Sequence, residues 1–304
     1  MPPAIPGGRP ASLPPALRHA ACAAVPHACG FPDTTNTGVP AGMRLRRVPS
    51  QVSHGPGWYF DPAGAVRVVG NGAVLQGLYI PYNVSVTASR VTIRDDRIVV
   101  SGNRFGVSLH HTHRVTIENT DIYSPYAGRN RLMVGIKDIY GNSTGLSILR
   151  DDIWHTATGV QVESGLVAGC YIHAMGYRPG DHVNGITSNG GNTALLVIRG
   201  NTVFNHRIQT DAISLFEDFG VQANRIISGN LLAGGGYTIY GGQKPGGPAE
   251  YNIRITGNLF SRVYYPRGGF HGQVAYFSRT GRKDRWTGNG WSGNATEKLA
   301  GLIP

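Results

Sequence analysis

Apolar residues recur along this chain in pairs whose two members are five positions apart. Eight such pairs follow one another: Leu75/Ile80, Ile93/Ile98, Ile117/Ile122, Ile148/Ile153, Val167/Ile172, Ile198/Val203, Ile227/Leu232 and Ile255/Phe260. The first members of successive pairs are 18 to 31 residues apart. A repeat of this length indicates one small supersecondary unit that is stacked many times.

The third position after the first apolar residue is polar or small in seven of the pairs. It holds Asp96, Thr120, Asp151, Cys170, Asn201, Asn230 and Asn258. The Gly-Asn of the later repeats predicts a bend between two short strands, because both residues tolerate unusual backbone angles. In strands stacked about 4.8 Å apart, these asparagines are expected to hydrogen-bond to one another.

A second column of apolar residues follows the pairs. It consists of Val107, Ile136, Val160, Ile186, Ile213, Ile239 and Val274. No segment has a sustained helical period. The chain is therefore predicted to be all-β, a right-handed parallel β-helix of about 8–9 rungs with an irregular N-terminal segment. A β-propeller, the alternative, would require about 40–45 residues per blade.

The chain divides at about residue 40. Residues 1–40 are rich in Pro and Ala and are predicted to be an N-terminal tail or a degenerate leader. Residues 41–304 are expected to form a single β-helix domain with an N-terminal cap and a C-terminal tail. Cys22 and Cys29 are seven positions apart and could pair if the protein is exported.

The charge of the chain points to an acidic partner. The net charge is +11, and only four of the basic residues are lysines. A basic surface attracts polyanions. No recognition motif for nucleic acid and no apolar run of about 20 residues for a membrane is present. An acidic polysaccharide is therefore the expected partner, and the protein is expected to be a monomer.

Polar and aromatic side chains beside the second apolar column form a candidate groove. Long loops at 123–133, 173–184 and 262–273 are expected to wall it. Carboxylates, amides and rings are the groups that a sugar-binding groove needs. We assign substrate binding to His155, Glu163, Asn184 and Tyr240. Asn184 and Asp211 lie at equivalent places on adjacent rungs, and His182, two residues before Asn184, forms an acid–base candidate with Asp211.

The rung pattern resembles the pectate-lyase-like β-helix superfamily, from about Val66 to Trp291. The resemblance implies an extracellular enzyme that cleaves a uronate polymer by β-elimination, although a cytoplasmic location stays open. It also implies a basic residue that removes a proton, and Lys137 fills this role as the one lysine within the central rungs. Such lyases often hold Ca²⁺ with acidic residues, here Asp181 and Glu217.

Other activities remain open at this stage. Gln209-Thr210-Asp211 resembles a motif of polygalacturonase-like enzymes, so a glycoside hydrolase with Asp211 paired to Glu217 or Asp218 is one alternative. An epimerase on the same scaffold is another. A noncatalytic carbohydrate-binding or adhesin scaffold, and an intracellular biosynthetic enzyme, complete the set.

Overall fold

Each five-residue pair forms two short strands that belong to different sheets. Ile227 and Leu232 lie in such strands, and Gly229 between them has a φ of 62°. A single residue in the left-handed region turns the chain sharply, and glycine adopts it without steric cost. Asn119 and Arg150 occupy the equivalent place with φ values of 50° and 55°. The bend predicted within each pair is confirmed.

The computed structural model describes residues 22–293, which form a parallel β-solenoid of about nine turns. Within this range the strands join into three stacked sheets, named A, B and C here. In each complete turn the chain passes through sheet C, then sheet A, then sheet B. The all-β, parallel β-helix architecture predicted from the apolar pattern is confirmed.

The strands are short in all three sheets. Sheet A contains β1 Arg46–Arg47, β6 Leu78–Ile80, β9 Arg97–Val99, β12 Asp121–Tyr123, β15 Asp152–Trp154, β18 Tyr171–His173, β21 Thr202–Asn205, β24 Leu231–Gly234, β27 Leu259–Phe260 and β30 Gly290–Trp291. Sheet B contains β2 His54–Gly55, β3 Trp58–Asp61, β4 Ala65–Val68, β7 Asn83–Val86, β10 Phe105–Leu109, β13 Leu132–Asp138, β16 Thr156–Gln161, β19 Asn184–Ser188, β22 Asp211–Leu215, β25 Tyr237–Gly241 and β28 Gly272–Ala275. Sheet C contains β5 Val74–Gln76, β8 Thr92–Arg94, β11 Thr116–Glu118, β14 Ser147–Leu149, β17 Gly165–Ala168, β20 Leu196–Arg199, β23 Ala223–Ser228, β26 Tyr251–Thr256 and β29 Arg285–Thr287.

The interior is a stack of apolar layers, to which each turn gives at least one residue from every sheet. Ile227, Leu232 and Ile239 form one such layer, and none of the three is exposed to solvent. Each buried aliphatic side chain contributes about 1.5–3 kcal/mol. Because like residues stack on like, this core specifies the register of the rungs.

A ladder of asparagines joins the turns between sheets C and A. The Oδ1 atoms of Asn230, Asn258 and Asn289 each accept a bond from the backbone amide of the asparagine one rung earlier, at 2.9–3.0 Å. The stacking predicted from the Gly-Asn repeat is confirmed. Asn289 belongs to a ninth apolar pair, Trp286 and Trp291, which the sequence pattern did not include.

Residues 22–45 lie against the outer face of sheet A. Cys22 and Cys29 form a disulfide, and Phe31 packs with Tyr171, Phe204 and Leu231 in a second apolar cluster. The only regular structure before β1 in the described residues is a 3₁₀ turn, Pro26–Cys29. Further along, the backbone amide of Gly38 donates to the carbonyl of Arg150 at 2.8 Å. The domain boundary at residue 40 stays a prediction, and residues 1–21 of the proposed tail lie outside the described range.

The first strands of sheet B differ from the rest because they pair antiparallel. β2 pairs with β3, and β3 pairs with β4, before the parallel stack begins at β7. Trp58 and Val48 join the main core below the first rung. Between residues 22 and 293, no helix has the length and apolar character that a membrane crossing would need.

Candidate functional site

Sheet B carries a straight row of side chains on the face that points away from the core. The row consists of Arg67, Ser85, Ser108, Lys137, Gln161, Thr187, Ser214 and Tyr240, which are register partners from strand to strand. Neighbouring members are about 4.8 Å apart along the solenoid axis.

A cleft of about 740 Å³ opens at the edge where the strands of sheet B end. Lys137 and Gln161 lie at its floor, and residues 138–142 and 189–193 form its two walls. The walls are tied together, because Asn192 Nδ2 donates to the carbonyl of Gly141 at 2.9 Å. The exposed rings of Tyr140 and Phe219 stand at the rim.

Lys137 is half-buried in this cleft. Its Nζ donates to Gln161 Oε1 at 2.6 Å and lies 5.9 Å from the centre of the Phe105 ring. Burial lowers the pKa of Lys137, while the charges of Glu163 and Asp138 act in the opposite direction. A lysine with a lowered pKa and a fixed orientation can accept a proton at a pH where a free lysine cannot.

Glu163 lies beside Lys137 but is turned into the protein. Its carboxylate accepts bonds from Ser188 Oγ at 2.6 Å and from the backbone amides of Asn189 and Gly190 at 2.7 and 3.1 Å. Burial raises its pKa, and these donors oppose the shift. Glu163 therefore shapes the 189–193 wall, and its predicted contact with substrate stays a prediction.

Arg225 holds the same wall from beneath, and the sequence reasoning missed it. The side chain is fully buried. It donates to the carbonyls of Asn192 at 2.6 Å and Ala194 at 2.7 Å, and its guanidinium lies 4.0 Å from Glu163. Burial lowers the pKa of Arg225 to about 10. The sequence did contain a signal for this role, because Arg225 is an arginine in a column of apolar residues. Its register partners are Leu196 and Ile253.

A second group of predicted residues lies at the opposite edge of sheet B, where its strands begin. Asn184 and Asp211 open β19 and β22 and are register partners, as expected from the repeat. Asp211 is fully buried, and neither carboxylate oxygen has a hydrogen-bond partner among residues 22–293. Burial raises its pKa well above the usual range, and the nearby Ser214 hydroxyl, which opposes this, donates to Thr187.

His182 is separate from the Asp211 carboxylate. Its ring lies at the exposed rim, where Nδ1 is 3.0 Å from Gln209 Nε2 and 3.4 Å from Thr210 Oγ1. The two residues share an edge of the sheet, but the structure does not join them by a hydrogen bond. The carboxylate is enclosed while the imidazole faces solvent, and the acid–base role of the two residues stays a prediction.

His155 and Asp181 lie near this same edge. Nδ1 of His155 is 2.8 Å from the carbonyl of Ser124, so the ring is engaged by the backbone. Asp181 forms a two-pronged ion pair with the buried Arg131, whose Nε donates at 2.7 Å. An arginine in this position neutralises the carboxylate that a cation would need.

Glu217 and Tyr240 lie towards the edge of sheet B where the cleft opens, whereas Asp181 lies near the opposite edge. Glu217 follows β22, is largely buried and accepts a bond from the backbone amide of Lys244 at 3.2 Å. Since Asp181 precedes β19 and Glu217 follows β22, a whole strand separates them. They do not fit one Ca²⁺ ion, and residues 22–293 contain no group of three or more candidate metal ligands. Tyr240 contacts the rings of Phe216 and Tyr276.

The predicted site is thus divided between the two edges of sheet B. Lys137, Glu163, Glu217 and Tyr240 lie towards the edge with the cleft, whereas His155, Asp181, His182, Asn184 and Asp211 lie towards the other. Tyr240 is still close to Asp211, and burial together with the charge of Asp211 raises the pKa of Tyr240 to about 12. The loops expected to wall the groove follow sheet A, but the cleft is walled by loops that follow sheet B. These features define a β-solenoid protein with a polar cleft on one sheet. Comparison with protein-family models, with curated proteins and with solved structures found no significant match.

Proposed function

We propose that the protein is a polysaccharide lyase that acts on a uronate-containing polymer in the 740 Å³ cleft. The observation that carries the proposal is Lys137, a half-buried lysine at the cleft floor with a lowered pKa and a fixed partner in Gln161. The net charge of +11 supports an acidic substrate. The β-solenoid fold is compatible with carbohydrate-active β-helix proteins.

In the proposed reaction, neutral Lys137 removes the proton on the carbon next to the uronate carboxyl group. The electrons of that C–H bond form a C=C bond, and the bond to the glycosidic oxygen on the adjacent carbon breaks. The leaving oxygen takes a proton from the newly formed Lys137 ammonium. The amides of Asn189 and Gln161 line the same cleft and are suited to hold the carboxylate during this charge change.

The proposal assigns no step to a metal ion, because the two predicted ligands lie at opposite edges of the sheet. It does favour an exported protein. The Cys22–Cys29 disulfide supports this location, since such bonds persist in oxidising compartments. A monomer that binds neither nucleic acid nor membrane remains part of the proposal.

A depolymerisation assay tests the function directly. Pectate, alginate and glycosaminoglycans are incubated with the wild type, and the unsaturated product is followed by ultraviolet absorbance. Lys137→Met should abolish product, while Lys283→Met, which removes an exposed lysine elsewhere, should leave the rate unchanged. Shortened chains without unsaturated ends would instead indicate a hydrolase. Binding without any turnover would indicate a carbohydrate-binding scaffold.

A further inference from the structure

A cluster of aromatic rings lies on sheet B in the last complete turns of the solenoid. The Tyr240 ring lies 5.3 Å from Phe216, 5.6 Å from Tyr237 and 5.5 Å from Tyr276, measured between ring centres. Tyr276 is 47% exposed. Exposed rings of this kind pack well against the apolar face of a sugar ring, which also offers hydroxyls at its edge.

A second cavity, of about 320 Å³, opens beside these rings. Its lining includes Phe216 and Tyr276 together with the carboxylates of Glu217 and Asp218 and the side chain of Lys244. Asp218 and Lys244 are exposed, whereas Glu217 is largely buried and engaged by a backbone amide. With Glu217 held by the protein, the free charges of Asp218 and Lys244 balance.

The two cavities therefore differ in the sugar that they suit. Around Lys137 a cation and neutral amides face the ligand, because Glu163 and Asp138 are hydrogen-bonded within the protein. Around Tyr276 the charges of Asp218 and Lys244 offset each other, and both groups can hydrogen-bond to sugar hydroxyls without attracting a uronate. Lys137 and Tyr240 lie on β13 and β25 of one sheet, four strand steps or about 19 Å apart along the axis.

We infer that the cavity at Tyr276 is a subsite for an uncharged pyranose of the same polymer that is cleaved at Lys137. The inference rests on the proposed function, because the uronate part of the polymer is assigned by the reaction at Lys137. It adds the class of substrate. The polymer is a heteropolysaccharide that carries neutral sugars as well as uronates, rather than a uniform chain of uronic acid.

Calorimetry with defined oligosaccharides tests the neutral subsite without catalysis. Neutral hexasaccharides of glucose, xylose and mannose are titrated into the wild type and into Tyr276→Ala, Tyr276→Phe and Lys137→Met. At least one neutral hexasaccharide should bind, about tenfold more weakly to Tyr276→Ala. Tyr276→Phe and Lys137→Met should bind it as the wild type does.

Tyr126→Ala is the matched control, because Tyr126 is 56% exposed on a loop after β12, on the other side of sheet B. It should not change the affinity. The inference is overturned if the wild type binds no neutral hexasaccharide, or if Tyr276→Ala binds it with undiminished affinity. A protein that binds the neutral hexasaccharide but shows no lyase activity would instead contradict the proposed reaction and still support the subsite.

Discussion

Asn230 donates to one oxygen atom of Asn258 from two positions. Its backbone amide lies 3.0 Å and its Nδ2 lies 2.8 Å from Asn258 Oδ1, one turn further along the solenoid. Asn230 also donates from Nδ2 to the carbonyl of Ile198 and is itself the acceptor for Asn201. Each asparagine side chain thus satisfies buried backbone groups of the preceding turn and is bonded to the asparagine side chain of the following turn.

Asn230→Ala should lower the free energy of unfolding by about 3 kcal/mol, because it leaves the buried amide of Asn201 without an acceptor. Urea denaturation followed by circular dichroism gives this quantity. Asn142→Ala, at an exposed position, should stay within about 0.5 kcal/mol of the wild type. Equal stabilities of the two variants would show that the ladder does not hold the turns together.

Asp151 occupies the ladder position that asparagine holds in later turns, but a carboxylate cannot donate a hydrogen bond there. Its Oδ1 accepts from the amide of Thr120 at 2.8 Å, but its Oδ2 is buried without a partner in the described part of the chain. Burial raises its pKa well above the ordinary value. Asp151→Asn places an Nδ2 there, which should donate to the backbone as in the other rungs. We expect a gain of about 1–3 kcal/mol at neutral pH.

The pH dependence of that gain follows from the raised pKa. Below about pH 4 both the folded and the unfolded carboxyl are protonated, and no penalty arises. As pH rises above this value, the unfolded chain loses its proton first, so the wild type loses stability relative to Asp151→Asn. Denaturation at pH 4 and pH 7 measures the difference. Asp61→Asn, which removes a carboxylate whose pKa is lowered by the Ala63 amide and Arg67, should not stabilise the protein.

The fold could be predicted because its signal repeats in the sequence. Residues equivalent to Ile227, Leu232 and Ile239 recur in successive turns. Because equivalent residues stack on one another, their spacing in the sequence sets the register of the strands. The position of residues 22–45 had no such signal. It depends on the packing of Phe31 with Tyr171, which is distant in the sequence, and no local repeat predicts such a contact.

The candidate site could be predicted only in part, for a related reason. Lys137 was selected as the one lysine within the central rungs, and it lies in the cleft, hydrogen-bonded to its register partner Gln161. The cleft itself depends on how loops pack. Arg225 draws the carbonyls of Asn192 and Ala194 towards the core, and loop length alone does not reveal this.

Arg225→Met should both destabilise the protein and loosen the cleft wall. It leaves Glu163 buried without its nearest cation and frees two backbone carbonyls, so we expect a loss of about 3–5 kcal/mol. Hydrogen exchange should rise at residues 190–194 before global unfolding. Arg199→Met, at an exposed position, serves as the control. Unaltered exchange at 190–194 in Arg225→Met would mean that the wall is held by other contacts.

His206 should make the protein sensitive to mild acid. It lies beside Tyr264, and burial lowers its pKa to about 4, with the charges of Arg207 and His155 acting in the same direction. The unfolded chain takes up a proton near pH 6.5 that the folded protein refuses. Stability is therefore lost as pH falls from about 6.5 to 4. The loss should be about 1 kcal/mol, because the ring is partly exposed and solvent screens it.

His206→Phe should remove this part of the acid dependence. The test compares denaturation midpoints at pH 7 and pH 4.5 for the wild type, for His206→Phe and for His54→Phe, which alters an exposed histidine. The wild type and His54→Phe should lose the same stability on acidification, and His206→Phe should lose less. Identical losses in all three proteins would contradict the assignment.

Lys137 sets the pH profile that the proposed lyase should show. Because burial lowers its pKa, the alkaline rise of kcat/KM should have its midpoint below the value of about 10.4 for a free lysine. Lys137→Arg keeps a positive charge that cannot be removed in this range, so it should lose about 10²–10⁴-fold in rate. Substrate binding should survive in this variant, since the charge is retained. A Lys137→Arg protein with wild-type rate and profile would show that the proton is taken by another group.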